Sequence, residues 1–119
     1  MNTFTAHLTR QAAFSRATFG PGPRTEGVCE HIGKELAEIA EATTESGRAS
    51  EWVDVAILGF DGLLRSIWAM HPQWDAEMVA EEAVDMVVAK QGKNERRLWP
   101  DWRTAAPGKA IEHKRGTED

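Results

Sequence analysis

Apolar residues return at helical spacing through most of the chain, and no stretch alternates with the period of two that a strand needs. Val28, Ile32, Leu36 and Ile39 recur every three or four positions, which predicts an amphipathic helix from about Thr25 to Thr44. Gly47 follows that segment and reads as its terminator. Ser50 then offers an N-cap side chain and Glu51 a first-turn acid, for a helix running to about Met70, ahead of His71-Pro72. This helix is apolar nearly all round, through Trp52, Val53, Val55, Ile57, Leu58, Phe60, Leu63, Leu64, Ile67 and Trp68, a composition expected at the buried centre of a bundle. A further helix starts near Asp75, packs through Val79, Ala83 and Val87, and stops near Gly92. The segment before Ala17 is weakly patterned, with Phe4, Leu8, Ala12 and Ser15 allowing a short helix. Between Thr18 and Pro23, two prolines and two glycines interrupt regular structure. Beyond Gly92, Trp, Pro and basic residues predict an ordered tail with a charged end from Glu112. The pattern predicts an all-α fold.

Composition narrows this picture. A chain of 119 residues, 41% hydrophobic, has room for one core, so residues 1–119 read as a single domain. Its 14 basic and 19 acidic residues give a net charge of −5, which attracts neither nucleic acid nor an anionic membrane. The lone Cys29 allows no internal disulfide and no Cys-based zinc site. Charge breaks every apolar stretch well before the roughly 20 residues of a membrane span, and the N-terminus lacks the apolar centre of a signal peptide. A cytoplasmic domain is the expectation.

The chemistry lies in carboxylates at unexpected positions. Glu51, Asp54, Leu58, Asp61 and Arg65 step by three and four along the apolar helix and share one narrow stripe. On the preceding helix Glu35 and Glu38 are three apart, and His31 lies four before Glu35. A short connection should make the two helices antiparallel neighbours, so that Glu35, Glu38, Glu51 and Asp54 face each other across one seam. Four carboxylates converging without a cation repel strongly, and an oxygen-only donor set suits Mg²⁺ or Mn²⁺ better than zinc. The alternative is that Glu35 and Glu38 lie on a solvated face; Glu82 and Asp85 form a further ExxD pair, which shows how readily the spacing arises by itself. Lys90, Lys93, Arg96 and Arg97 recur near one helical turn apart and either hold phosphates or decorate a solvated helix end. Gly22 to Gly27 has the spacing of a phosphate loop, but Val28-Cys29 replaces the Lys-Ser/Thr that grips phosphate and metal. That segment reads better as a rigid wall, with Arg24 near phosphate and Phe19 either near a base or packed in the core.

Glu35-Leu-Ala-Glu38, followed after twelve residues by Glu51-Trp-Val-Asp54, resembles the ExxE…ExxD signature of the all-α nucleoside triphosphate pyrophosphohydrolases, the MazG-like superfamily. Phe14-Ser15, Thr18-Phe19-Gly20-Pro21-Gly22, Arg24, Gly27-Val28, His31-Ile32 and Lys34-Glu35-Leu36 resemble the N-terminal half of its dATP/dGTP pyrophosphohydrolase branch. Lys93-Asn94, Arg97, Trp99-Pro100-Asp101-Trp102-Arg103 and Lys109-Ala-Ile-Glu-His113 resemble the C-terminal half. The matches span residues 14–113 and leave 114–119 as a charged tail. That branch is common in phages and includes MazZ-type enzymes, which supply dGMP for 2-aminoadenine nucleotide synthesis.

The resemblance implies a helical bundle completed by oligomerisation, as a homodimer or a homotetramer, in the host cytoplasm if the chain is phage-encoded. It implies cleavage of a purine deoxynucleoside triphosphate, dGTP or dATP, to monophosphate and pyrophosphate. Two or three Mg²⁺ or Mn²⁺ ions would be held by Glu35, Glu38, Glu51 and Asp54, with Glu38 or Glu35 accepting the proton of the attacking water. Lys93 and Arg97 take the phosphate role that the family gives to basic residues near this position, with Arg24 beside them. Phe19, Ser15, His31 and Asn94 are the candidates for the base and sugar. Two other readings stand beside this one: the same chemistry on a pyrimidine nucleotide, and a non-catalytic helical module binding a nucleotide or a partner protein.

Overall fold

Helices account for the regular structure of the chain. The computed structural model describes residues 2–115, and its elements are α1 (Thr3–Phe19), α2 (Thr25–Glu41), α3 (Glu45–Met70), α4 (Ala76–Arg96) and a 3-10 turn at Trp102–Thr104. No strand occurs among the described residues, so the fold is all-α. Residues 116–119 of the charged tail lie outside the described residues. The chain forms two compact units, Met1–Val84 and Asp85–Asp119, and the division falls within α4.

In the first unit, α1 is a full 17-residue helix rather than a short one. Asn2 caps it, its Oδ1 accepting from the Thr5 amide at 2.7 Å. Its buried face consists of Thr5, Leu8, Gln11, Ala12 and Ser15; the polar members hide the apolar period that would have marked the helix. The chain then turns at Gly20 and Gly22, with φ of 92° and 89°, dihedrals that cost other residues roughly 1–2 kcal/mol.

Helix α2 begins at Thr25 as its pattern predicts and ends at Glu41, where Ala42 turns extended. Gly47 is not its terminator. It lies in the first turn of α3, and its amide donates to Thr44 Oγ1 at 3.0 Å, so Thr44 rather than Ser50 caps the helix. A Cβ at Gly47 would come within 3.1 Å of that hydroxyl, which is why glycine suits the position. Only residues 42–44 connect α2 to α3, and the two helices pack along each other. Helix α3 stops at Met70, with Trp68 Nε1 donating to Trp74 O at 2.8 Å. Asp75 opens α4 by accepting from the Met78 amide at 2.8 Å. Gly92 does not stop α4, which continues to Arg96; a glycine costs a helix interior only about 1 kcal/mol.

The core joins Leu8 and Ala12 of α1 to Leu64 and Ile67 of α3 and to Val79, Ala80, Ala83 and Val84 of α4. Helix α3 is central, packing on both α1 and α2, but it is not buried all round. Its N-terminal half leaves Trp52 and Val53 more than half exposed and Ile57 at 40%.

Beside this core stands a buried polar clamp. Arg65 Nε reaches both oxygens of Asp61 at 3.1 and 3.3 Å. Its Nη1 donates to the carbonyls of Gly20 and Gly22 at 2.9 and 2.7 Å. Its Nη2 donates to Ser15 O at 3.2 Å and Ser15 Oγ at 2.8 Å. All five guanidinium N–H groups therefore have partners, and the α1–α2 turn is fixed to α3. Half of the charged stripe of α3 thus serves architecture.

In the second unit, the tail folds back on the end of α4. Trp99 Nε1 donates to Asn94 O at 2.7 Å, the Trp99 and His113 rings meet edge to face, and the Lys114 amide donates to Leu98 O at 2.8 Å. The tail is ordered, as its composition predicts.

Candidate metal centre

Helical spacing places Glu35 and Glu38 one turn apart on α2, and Glu51 and Asp54 one turn apart on α3. The short 42–44 connection brings the pairs to the same level. Glu35, Glu38 and Glu51 each offer a carboxylate oxygen within 4.8 Å of the others, a group able to hold a metal ion. The three are graded in depth: Glu35 is buried, Glu51 half-buried and Glu38 exposed at the rim. Asp54 stands outside this trio but close enough that its charge acts on Glu51.

One oxygen of Glu35, Oε1, lies 3.3 Å from His31 Nε2. Its Oε2 is buried without a partner, as is Oε2 of Glu51. Ionised carboxylates can only accept hydrogen bonds, so a neighbouring ionised carboxylate satisfies neither oxygen, whereas a bound proton or cation would. Glu51 has a pKa raised above the ordinary carboxylate value. The main cause is a hydrogen bond shared with Glu35; a hydrogen bond with Glu38 opposes it, while burial and the charges of Glu35 and Asp54 add to it. Orphaned buried oxygens in an all-oxygen donor set fit a hard divalent cation.

The other residues singled out in the sequence are placed as follows. Arg24 occupies the N-cap position of α2 and donates from Nη1 to Phe19 O at 3.4 Å. Phe19 is more than half exposed and meets Phe14 edge to face. Ser15 is buried, its hydroxyl accepting from Arg65. His31 is exposed and belongs to the Glu35 pair. Lys93, Asn94 and Arg97 lie in the second unit, where all three are half-buried and Arg97 Nη1 donates to Asn94 Oδ1 at 3.0 Å.

The structure adds a feature that the sequence reading did not single out. A cleft of about 250 Å³ opens between the first turns of α2 and the middle of α3, lined by Val28, Cys29 and Ile32 on one side and by Leu58, Gly59 and Gly62 on the other. Phe19, Ser15, His31 and Asn94 do not line it. The available signal was a pair of glycines three apart inside an otherwise apolar helix. Each costs roughly 0.5–1 kcal/mol against alanine there, a sign that something other than helix stability sets the residue.

Comparison with known proteins agrees with the carboxylate geometry. The family model for dATP/dGTP pyrophosphohydrolase matches residues 7–118, and so extends beyond both ends of the 14–113 resemblance. No curated protein and no solved structure gives a significant match. With nearly its whole length matched, the chain belongs to the dATP/dGTP pyrophosphohydrolases, a family of nucleoside triphosphate pyrophosphohydrolases.

Proposed function

We propose that residues 1–119 act as one catalytic domain that hydrolyses dGTP, dATP or both to the monophosphate and pyrophosphate in a metal-dependent reaction. The observation that carries this reading is the buried, orphaned pair of oxygens on Glu35 and Glu51, beside the exposed carboxylate of Glu38. Mg²⁺ or Mn²⁺, two or three ions held by Glu35, Glu38, Glu51 and Asp54, would screen phosphate charge and acidify a water. Glu38, at the rim, takes the proton of the water that attacks the α-phosphorus. Glu35 is held by His31 and serves as a fixed ligand.

Charge is divided unevenly along the chain. Residues 1–84 carry 6 basic and 13 acidic side chains, and residues 85–119 carry 8 basic and 6 acidic. In this reading Lys93 and Arg97 hold the β and γ phosphates, with Arg24 contributing from α2, and the leaving pyrophosphate is stabilised by the same cations. The exposed apolar row Trp52, Val53 and Ile57 suits burial against a second copy in a homodimer or homotetramer. No helix among the described residues is long and apolar enough to cross a membrane, and a cytoplasmic place, in the host cell if the gene is viral, is part of the proposal. There dGMP from dGTP would feed nucleotide synthesis, including the 2-aminoadenine route.

The test is a panel of eight common nucleotides with Mg²⁺, phosphate and pyrophosphate being counted separately. Pyrophosphate and monophosphate are the expected products, with dGTP or dATP preferred. Orthophosphate release would refute the cleaved bond, and a tenfold preference for a pyrimidine, about 1.4 kcal/mol, would refute the purine assignment. Glu38→Gln should lower turnover roughly 10²–10⁴-fold in a folded protein; normal turnover would remove Glu38 from the chemistry.

A further inference from the structure

The cleft between α2 and α3 lies on the same seam as the carboxylates. Ile32, in its wall, is one turn from Glu35, and Leu58 is one turn from Asp54. From Asp54 to Gly59 and Gly62 is roughly 8–12 Å along the helix axis at 1.5 Å per residue. A deoxyribose and the purine it carries together span such a distance from the reacting phosphorus.

The floor of the cleft is bare backbone. Neither Gly59 nor Gly62 has a positive φ, so neither needs glycine for its conformation. A Cβ built on Gly59 meets nothing within 4 Å, and one on Gly62 meets only Val28 Cγ1, at an ordinary contact distance of 3.8 Å. Gly47 differs, since its missing Cβ makes room for the Thr44 hydroxyl. At position 59 no neighbouring protein atom takes up the space a side chain would fill, and at position 62 only Val28 borders it. The space is the cleft itself. Its walls, Val28, Ile32, Leu58 and Leu63, are apolar, while Thr25 and Ser66 bring hydroxyls and Arg24 and Arg65 bring guanidinium groups to its lining. A largely apolar cleft with a few polar groups is the environment a heteroaromatic ring requires.

We infer that this cleft seats the purine base of the substrate, with Gly59 and Gly62 as its floor and the hydroxyls of Thr25 and Ser66 facing the edge of the ring. The inference rests on the pyrophosphohydrolase reading and adds the part of the molecule that selects the nucleotide. Cations and carboxylates bind phosphates common to every nucleotide; a slot that excludes protein side chains is what a bulky base can exploit.

Two measurements test it. Gly59→Ala and Gly59→Leu fill the slot from a position with no neighbour to disturb. Both should keep or raise the melting temperature while lowering kcat/KM for dGTP by about tenfold or more, the leucine more strongly. Hydrolysis of 2-deoxyribose 5-triphosphate, which has no base, should stay unchanged in both. The second measurement needs no turnover. Cys29 is the chain's only thiol, exposed and in the wall of the cleft, so saturating dGMP should slow its alkylation by iodoacetamide at least about fivefold, and pyrophosphate should not. An unchanged kcat/KM for dGTP in folded Gly59→Leu, or an equal loss on the base-free triphosphate, would overturn the inference. So would a Cys29 that dGMP leaves unprotected. A wild-type protein that releases no pyrophosphate from any nucleotide refutes the catalytic reading instead, and dGMP protection of Cys29 would still report the seat.

Discussion

Replacing Arg65 with methionine should remove most of the stability of the first unit. The side chain keeps an unbranched stem out to about the position of Nε but loses the guanidinium, with its five N–H donors and its charge. Asp61, whose side chain is 13% exposed, then stays buried without a partner, and breaking a buried pair in this way costs about 3–5 kcal/mol. The Ser15 hydroxyl and carbonyl lose their donors as well, in a residue only 5% exposed. The carbonyls of Gly20 and Gly22 lie nearer the surface, where water replaces the lost bonds at less than about 1 kcal/mol each. The total, about 4–6 kcal/mol, compares with roughly 5–15 kcal/mol for the whole of an ordinary domain. Urea unfolding followed by tryptophan fluorescence at fixed protein concentration should show the midpoint falling by about 2–3 M. Arg65→Met with Asp61→Leu should regain much of this loss, because no charge is then stranded. Arg65→Lys should fall between, keeping the charge but not the planar fork. A loss below about 1 kcal/mol in Arg65→Met, or a double variant no more stable than the single one, would refute the account of this clamp.

Two further expectations are simpler. The raised pKa of Glu51 means that the metal-free protein gains stability from this group below the unfolded value of about 4.5 and loses it as pH rises through the raised folded value. Thermal melts in EDTA across that range should decline, Mg²⁺ should flatten the decline, and Glu51→Gln should abolish it; a metal-free melting curve that rises with pH in Glu51→Gln and wild type alike would contradict the shared proton. Thr44→Ala should cost about 1 kcal/mol by uncapping α3, read by the same urea titration, whereas Ser50→Ala, two turns inside α3, should cost no more than a few tenths.

The fold was readable where local chemistry agreed with tertiary packing. Helix α2 begins at Thr25 and α3 ends at Met70 because pattern and terminators coincide there. The helix boundary near Gly47 could not be read from composition, since a glycine just past one helix and a glycine at the third position of the next look alike until the Thr44 hydroxyl is seen to bond it. Helix α1 was obscured by polar residues on its buried face, among them Gln11, whose Nε2 donates to Ile57 O at 2.7 Å. The convergence of Glu35, Glu38 and Glu51 was legible because helical spacing converts directly into shared orientation. The roles of Asp61 and Arg65 depend on carbonyls some 45 residues away in sequence and leave no local trace. A cleft is likewise a relation between two helices, and the sequence holds only the missing side chains of Gly59 and Gly62.

The pinned α1–α2 turn has a consequence for how such a protein can change. Its glycines occupy left-handed dihedrals, its prolines stiffen the intervening positions, and its carbonyls are committed to a buried guanidinium. Side chains at Gly20 and Gly22 are resisted, and the clamp holds the loop that leads into Pro23 and Arg24 at the edge of the cleft. The opposite floor, at positions 59 and 62, accepts a methyl group without a clash and with a gain in helix stability. A lineage exploring new nucleotides therefore has an easy direction and a closed one: the shape of the slot can be altered by adding carbon to α3, whereas reshaping the loop first requires dismantling the clamp. Rigidity on one side concentrates evolvability on the other.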